Sequence, residues 1–438
     1  MDKKILILYA VSIVLGVITG FFASLFQLAI AGLVSLMNSF YGFISTTALP
    51  EGLISALVTM IMVLAAFLLV RHFAPEAAGS GVQEIEGTLL HVRPIFWKRL
   101  IPVKFIGGVL SISAHMVMGR EGPTIQMGGN LGEMLGDLLH LSRQRKDTLI
   151  AAGSAAGLAA AFNAPLAGVL FVMEEMRNQF NYSFTNFKMV IICCVMATIT
   201  LHLIIGSEPA IKMELFALPS LQALWWFCLF GIVVGFVGIV FNKSLMGILC
   251  LLDKLNPRDK IVYVCAVGFL VGYLVYIHPQ MVGGGYQIIN QALSLSPAFG
   301  ILCLLIVVRF ITTMLSYSTG IPGGIFAPML ALGTLLGLAV YHLFGYLSID
   351  SSIHPGMFAV AGMGALFAAS VRSPITGVVL VVEMTQNYSL ILPLMITCIT
   401  STTIVQLAGN EPIYTQLLER TLRLGSQNSR DKWNRSQG

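Results

Sequence analysis

Apolar stretches separated by short polar interruptions fill almost the whole chain. Residues 5–36, 53–70, 189–205, 224–241, 261–277 and 390–407 each predict a membrane-crossing helix, since a span needs roughly 20 apolar residues. A second kind of stretch is shorter and broken by glycine and proline: 103–118, 122–139, 165–176, 328–343 and 374–384. These predict half-helices that start or stop inside the membrane. Backbone polar groups find no water in hydrocarbon, so such breaks are tolerated only where protein or a polar cavity surrounds them. The pattern as a whole predicts an all-α membrane protein of many tilted and partial helices.

The broken segments occur twice. Ile101-Pro-Val-Lys-Phe-Ile106 matches Ile306-Val-Val-Arg-Phe-Ile311 at an offset of 205, and Ser111/Ser316, Gly119/Gly324, Pro123/Pro328, Gly128/Gly333 and Gly132/Gly337 continue it. Upstream, Gly79-Ser-Gly-Val-Gln83 matches Gly283-Gly-Gly-Tyr-Gln287 at offset 204. Downstream, Gly153/Gly362, Pro165/Pro374 and Glu174/Glu383 match at offset 209. The chain reads as one membrane domain, 1–418, made of halves at about 1–205 and 206–418, with 419–438 as a short cytoplasmic tail. Interrupted segments at corresponding positions of two halves point to a transport site. The residues alone leave parallel and inverted halves both open.

Composition agrees. Of 438 residues 56% are hydrophobic and 10% charged, against about 25% charged in soluble domains, so lipid is the natural solvent for most of this surface. The net charge of +5 collects at loops and ends, which speaks against a nucleic-acid partner. Lys3 and Lys4 at one end, and Arg423, Arg430, Lys432 and Arg435 at the other, place both termini in the cytoplasm by the positive-inside rule, with an even number of crossings. The first apolar run is too long for a cleavable signal peptide. Seven cysteines, all in apolar runs, read as buried free thiols. No cofactor or metal is called for.

Polar residues found in one half only, at a helix break, are the candidates for chemistry. Glu121, in Gly119-Arg-Glu-Gly-Pro123, faces Phe326 in the repeat. A carboxylate at membrane depth costs roughly 2.5–3.5 kcal/mol even on lenient scales, whereas a helix N-terminus offers it free N–H donors. Those donors would also hold a halide, so Glu121 reads as a gate that occupies an anion site when ionised and leaves it when protonated. The alternative is a helix cap paired to Arg120. Ser80 offers a hydroxyl at a turn where the other half has Gly284; the alternative is an ordinary turn serine. In Gly323-Gly-Ile-Phe-Ala-Pro328 the useful groups are the Ile325 and Phe326 amides, aimed at an anion. Glu175 has Met384 as its mate and could load protons at a helix end, or be a solvated end charge; Glu174, matched by Glu383, reads as structural. Lys104 and Arg309 are mates that read as anchors, and His115 as a packed, hydrogen-bonded histidine. Tyr414 by itself reads as an interfacial anchor.

Gly79-Ser-Gly, Gly119-Arg-Glu-Gly-Pro123, Gly323-Gly-Ile-Phe-Ala-Pro328 and Tyr414 together resemble the CLC family of chloride channels and proton-coupled chloride exchangers, over nearly the whole chain. Its bacterial exchanger branch is the most similar. The resemblance implies a fold of two inverted halves and a homodimer in the bacterial inner membrane, each subunit with its own pathway. It implies a central chloride site lined by the Ser80 and Tyr414 hydroxyls and the Ile325 and Phe326 amides, Glu121 as external gate and Glu175 as internal proton glutamate. Ser80 fits the chloride-type pattern. Val82-Gln83 after the Gly-Ser-Gly and His115 before the gate depart from the family pattern and bear on rate rather than fold. The expected function is exchange of chloride for protons; the alternative is an uncoupled chloride channel of the same fold. An intramembrane serine hydrolase at Ser80 is disfavoured, because neither a Gly-x-Ser-x-Gly elbow around Ser80 nor a His-Glu-x-x-His motif occurs.

Overall fold

A computed structural model describes residues 3–47, 49–177, 180, 182–217, 219–295, 297–346 and 353–436. Among them are seventeen α-helices. The first half holds α1 (Lys3–Ile44), α2 (Glu51–Phe73), α3 (Val82–Leu89), α4 (Trp97–Ser113), α5 (Glu121–Leu138), α6 (Arg143–Phe162), α7 (Pro165–Glu174) and α8 (Phe184–Ile204). The second holds α9 (Leu224–Asp253), α10 (Pro257–Ile277), α11 (Tyr286–Leu295), α12 (Phe299–Ser318), α13 (Phe326–Gly345), α14 (Pro355–Val371), α15 (Pro374–Thr385) and α16 (Ile391–Leu407), and α17 (Ile413–Ser436) follows without a break at residue 418.

Among the described residues, eight helices are long and apolar enough to cross a membrane. Two run well past their apolar stretches: α1 reaches Ile44 and α9 reaches Asp253. The 328–343 piece, expected as a half-helix, is a 20-residue helix of spanning length, and α12 is a further span outside the predicted set. The side chains of Lys3, Lys4, Arg430, Lys432 and Arg435, on which the placement of the termini leaned, lie outside the described set. All seven cysteines are free, but only Cys193, Cys194 and Cys398 are buried; Cys228, Cys250, Cys265 and Cys303 are half-buried.

The core is made by small residues. α6 from Thr148 onward and nearly all of α14, rich in alanine and glycine, are buried and pack against α5 and α13 respectively. A methyl added at Gly128 would overlap the Gly153 carbonyl, and one at Gly333 would overlap the Gly362 carbonyl. These are mates in the repeat, so each half brings its helix pair into backbone contact at the same place. Small residues allow such close approach where lipid gives helices no hydrophobic drive to associate. Gly333→Ala is expected to cost about 1–3 kcal/mol by overpacking, read as a lower melting temperature in detergent; an unchanged melting temperature would contradict this packing.

The halves meet along their breaks. Gly119 and Gly324, mates at offset 205, hydrogen-bond each other in both directions at 2.8 Å in an antiparallel bridge. Ser111 donates to the Pro322 carbonyl, and its mate Ser316 accepts from the Val117 N–H at 3.1 Å; Val117 and Pro322 are themselves mates. Equivalent residues thus face one another with opposite chain directions, the signature of an internal twofold relation between inverted halves.

Candidate functional site

The two breaks are stapled by the mated cations. Lys104 Nζ donates to the carbonyls of Ala77 (3.0 Å) and Gly79 (2.7 Å). Arg309 donates to those of Gln280 and Val282 (both 2.9 Å) and Gly283 (2.8 Å). Both side chains are fully buried. Each satisfies carbonyls that a helix break would otherwise leave bare in an apolar interior. The anchoring role fits the geometry.

Ser80 sits between Gly79 (φ 61°) and Gly81 (φ 84°), in the turn that opens α3. Its N–H points to the Tyr317 hydroxyl at 3.4 Å. The Tyr414 hydroxyl, at the start of α17, faces the Ser80 hydroxyl, yet neither oxygen completes a well-aligned hydrogen bond. Tyr414 is fully buried and stacks on Phe326, ring centroids 5.8 Å apart. Its expected placement at the membrane interface, read from the residue alone, is therefore corrected: α17 turns inward and inserts the ring into the core. Ile325 caps α13 and Phe326 opens it. The first-turn N–H groups of such a helix have no intrahelical acceptor. The structure brings Ser80, Tyr414, Ile325 and Phe326 to one buried place.

Glu121 is the first residue of α5 and fully buried. Its carboxylate lies against its own N–H and that of Ala327 in the first turn of α13. Oε1 accepts from the Tyr286 hydroxyl at 2.7 Å, while Oε2 has no well-aligned partner. Oε2 is turned back over Gly119, where any side chain would overlap it. Glu121 thus sits where the N-termini of α5 and α13 approach one another, as Gly324 packs onto the Gly122 backbone. Arg120 stacks its guanidinium over the Tyr286 ring, 5.1 Å from its centroid.

Glu175 lies just past the end of α7 and is half-buried. It accepts from the Ser373 hydroxyl at 2.9 Å, and its carboxyl lies beside that of Glu86, a buried residue of α3. Two carboxyl groups this close disfavour both being ionised at once. Glu174 and Glu383 are reciprocal caps. Glu174 accepts from the N–H groups of Ile375 (3.0 Å) and Thr376 (2.6 Å), and Glu383 from those of Leu166 (3.1 Å) and Ala167 (2.8 Å). Glu174→Ala is expected to cost about 1–2 kcal/mol as a lost cap while transport coupling is retained. An unchanged melting temperature would remove the capping role.

Sequence reasoning passed over Tyr286 and Glu86. Tyr286 obeys the one-half filter, since its mate is Val82, whereas Glu86 is matched by the polar Asn290. His115 fits its packed reading, with its imidazole within reach of the Ser113 carbonyl, and two features go beyond it: its φ is 57°, and its ring lines a cavity of about 330 Å³ beside the gate.

Helix breaks meeting around a buried carboxylate, within a body of apolar spanning helices, define the class: a multi-pass membrane protein with its polar site at the seam of two related halves. Residues 61–406 match the family described as voltage gated chloride channel, and the chain belongs to it. It is 44% identical over 414 residues to the H(+)/Cl(-) exchange transporter ClcA of Vibrio parahaemolyticus, covering 94% of this chain and 89% of that protein. It is 42% identical over 425 residues to the ClcA of Salmonella paratyphi B, covering 96% and 90%. Among solved structures, a slow cyanobacterial Cl-/H+ antiporter superposes with a TM-score of 0.92 at 38% identity, over 97% of this chain and 99% of that one.

Proposed function

We propose that this protein exchanges chloride for protons across a bacterial inner membrane, and that Glu121 and chloride compete for one set of donors. The observation that carries the reading is the Glu121 carboxylate lodged against the N-terminal turns of α5 and α13. Backbone donors at helix N-termini hold an anion without regard to whether it is a carboxylate or a halide.

Chloride is held between the Ser80 and Tyr414 hydroxyls and the Ile325 and Phe326 amides. Ionised Glu121 closes the path from the external side; once protonated, it no longer attracts those amides and yields to the anion. Glu175 exchanges the proton with the cytoplasmic side, with Glu86 sharing it. α3 supports this route, because Ser80 lies in the turn that opens it and Glu86 sits in its second turn. The relatives named as exchange transporters favour coupled exchange over a channel and a transporter over a catalyst. The working unit is a homodimer in lipid with one pathway per subunit. It has both termini in the cytoplasm and needs no cofactor. Its single membrane domain, 1–418, is one duplicated unit, halves 1–205 and 206–418, with 419–438 a cytoplasmic tail.

The test is simultaneous chloride and proton flux from purified protein in liposomes. A chloride gradient is expected to drive protons uphill in fixed ratio. Chloride flux with no proton movement would select the channel, and the absence of both would reject the proposal.

A further inference from the structure

The cavity beside the gate is lined by His115, Arg120, Tyr286 and the Gly283–Gly285 backbone. His115 reaches it at a cost in backbone freedom, since φ of 57° is where glycine is favoured. Its carbonyl accepts from the Gly283 N–H at 2.8 Å, which fixes the turn and sets the ring against Gly283. Two polar atoms in this wall, His115 Nδ1 and Arg120 Nε, are buried without a well-aligned partner, the imidazole lying within reach of the Ser113 carbonyl. The Gly284 and Gly285 N–H groups have no acceptor among the described residues.

The charged and titratable groups around the imidazole come from several elements. Arg120 precedes α5, and Tyr286 opens α11 with its hydroxyl on Glu121. Arg309 of α12 reaches the Gly283 carbonyl from behind. The parts of α1, α4 and the turn at 279–281 that face the cavity are Ile30, Val34, Ile112, Pro279 and Gln280, none of them charged. The carboxylate of Glu121 is already engaged by Tyr286, so the cavity presents donors and positive charge with no acid in its wall.

We infer that this cavity is a second anion site, a waiting position for a halide or similarly small inorganic anion, in which protonated His115 and Arg120 hold the ion before it displaces Glu121. The inference rests on the exchange reading of the gate. Burial holds the His115 imidazole below the usual histidine range, so it charges only in acid. Protonation then adds one positive charge to the wall, and acid strengthens the site while alkali weakens it. Protonation of Glu121 also favours anion binding in acid, and the comparison of wild type with a His115 variant separates the two, because only one of them retains the imidazole.

The experiment uses bromide. Crystals of the full chain are soaked in bromide at pH 5 and pH 8 and read by anomalous scattering, in parallel with chloride flux at the same pH values. A bromide peak is expected between His115 and Arg120 at the lower pH, weaker at the higher, and absent from His115→Gly, which suits the left-handed backbone. The variant is expected to raise the chloride KM about fivefold in acid, as one screened charge would, with the maximal rate unchanged. His115→Asn, also at ease at positive φ, repeats the test should the glycine variant misfold. Bromide at the Ser80–Tyr414 site but none in the cavity, or a peak and KM that ignore the variant, overturns the waiting site alone. Bromide missing from the Ser80–Tyr414 site overturns the exchange reading itself.

Discussion

Glu121→Gln is expected to reduce proton transport to the background of protein-free liposomes while chloride transport continues. Glutamine has the size and the accepting oxygen of the acid, so the bond from Tyr286, 2.7 Å in the native protein, and the packing over Gly119 both survive. What it lacks is a titratable proton and the negative charge that holds the side chain to the N-termini of α5 and α13. Charge-assisted hydrogen bonds are roughly twice as strong as neutral ones, so the amide yields the donors to chloride more readily than the carboxylate does. Chloride flux is accordingly expected to stay within about tenfold of wild type, with a weaker dependence on pH. The check is paired chloride-electrode and pH-electrode recording. Continued proton pumping would remove Glu121 from the gate.

The second large effect is expected from Glu175→Gln, which should also uncouple protons but through a different part of the molecule. Glu175 stands at the end of α7, bonded by Ser373 and beside Glu86, and contributes nothing to the donors around Phe326. Removing its acid breaks the proton route between Glu121 and the cytoplasmic side and leaves the anion path intact. Chloride flux is expected to remain near the wild-type rate with proton flux at background. The neighbouring Glu174→Ala provides the contrast: a lost helix cap, lower stability and preserved coupling. Retained coupling in Glu175→Gln would make Glu175 a structural residue like its neighbour.

Much of the candidate site's layout was legible because the chain states its plan twice, while the chloride-site roles given to Tyr414 and the Ile325 and Phe326 amides came from the family resemblance. Differences between the halves, such as Glu121 against Phe326, and likenesses, such as Lys104 with Arg309, set candidates for function apart from architecture. The same comparison contained Tyr286 and Glu86. Tyr286 was hidden because an aromatic in a glycine-rich turn reads as filler, and only the fold carries its hydroxyl to Glu121, 165 residues away in sequence. Glu86 was hidden because its mate is also polar, so the pair suggested a shared turn. Tyr414 was misread from its own surroundings, since nothing near Glu411-Pro-Ile announces that α17 turns inward. α6 and α14 escaped the apolar pattern because alanine and glycine mark helices packed on protein rather than lipid. The cavity wall at His115 was hidden because a left-handed backbone at a histidine leaves no trace in the sequence.

The central claim is that chloride and the Glu121 carboxylate occupy the same donors in turn. Its most direct measurement is proton uptake on chloride binding to purified protein, from titration calorimetry in buffers of different ionisation enthalpy. Competition requires that chloride displace the carboxylate into a site where it takes up a proton, so wild type should absorb up to one proton per chloride near neutral pH and Glu121→Gln should absorb none. Equal uptake by the two proteins, or none by either, would contradict the account.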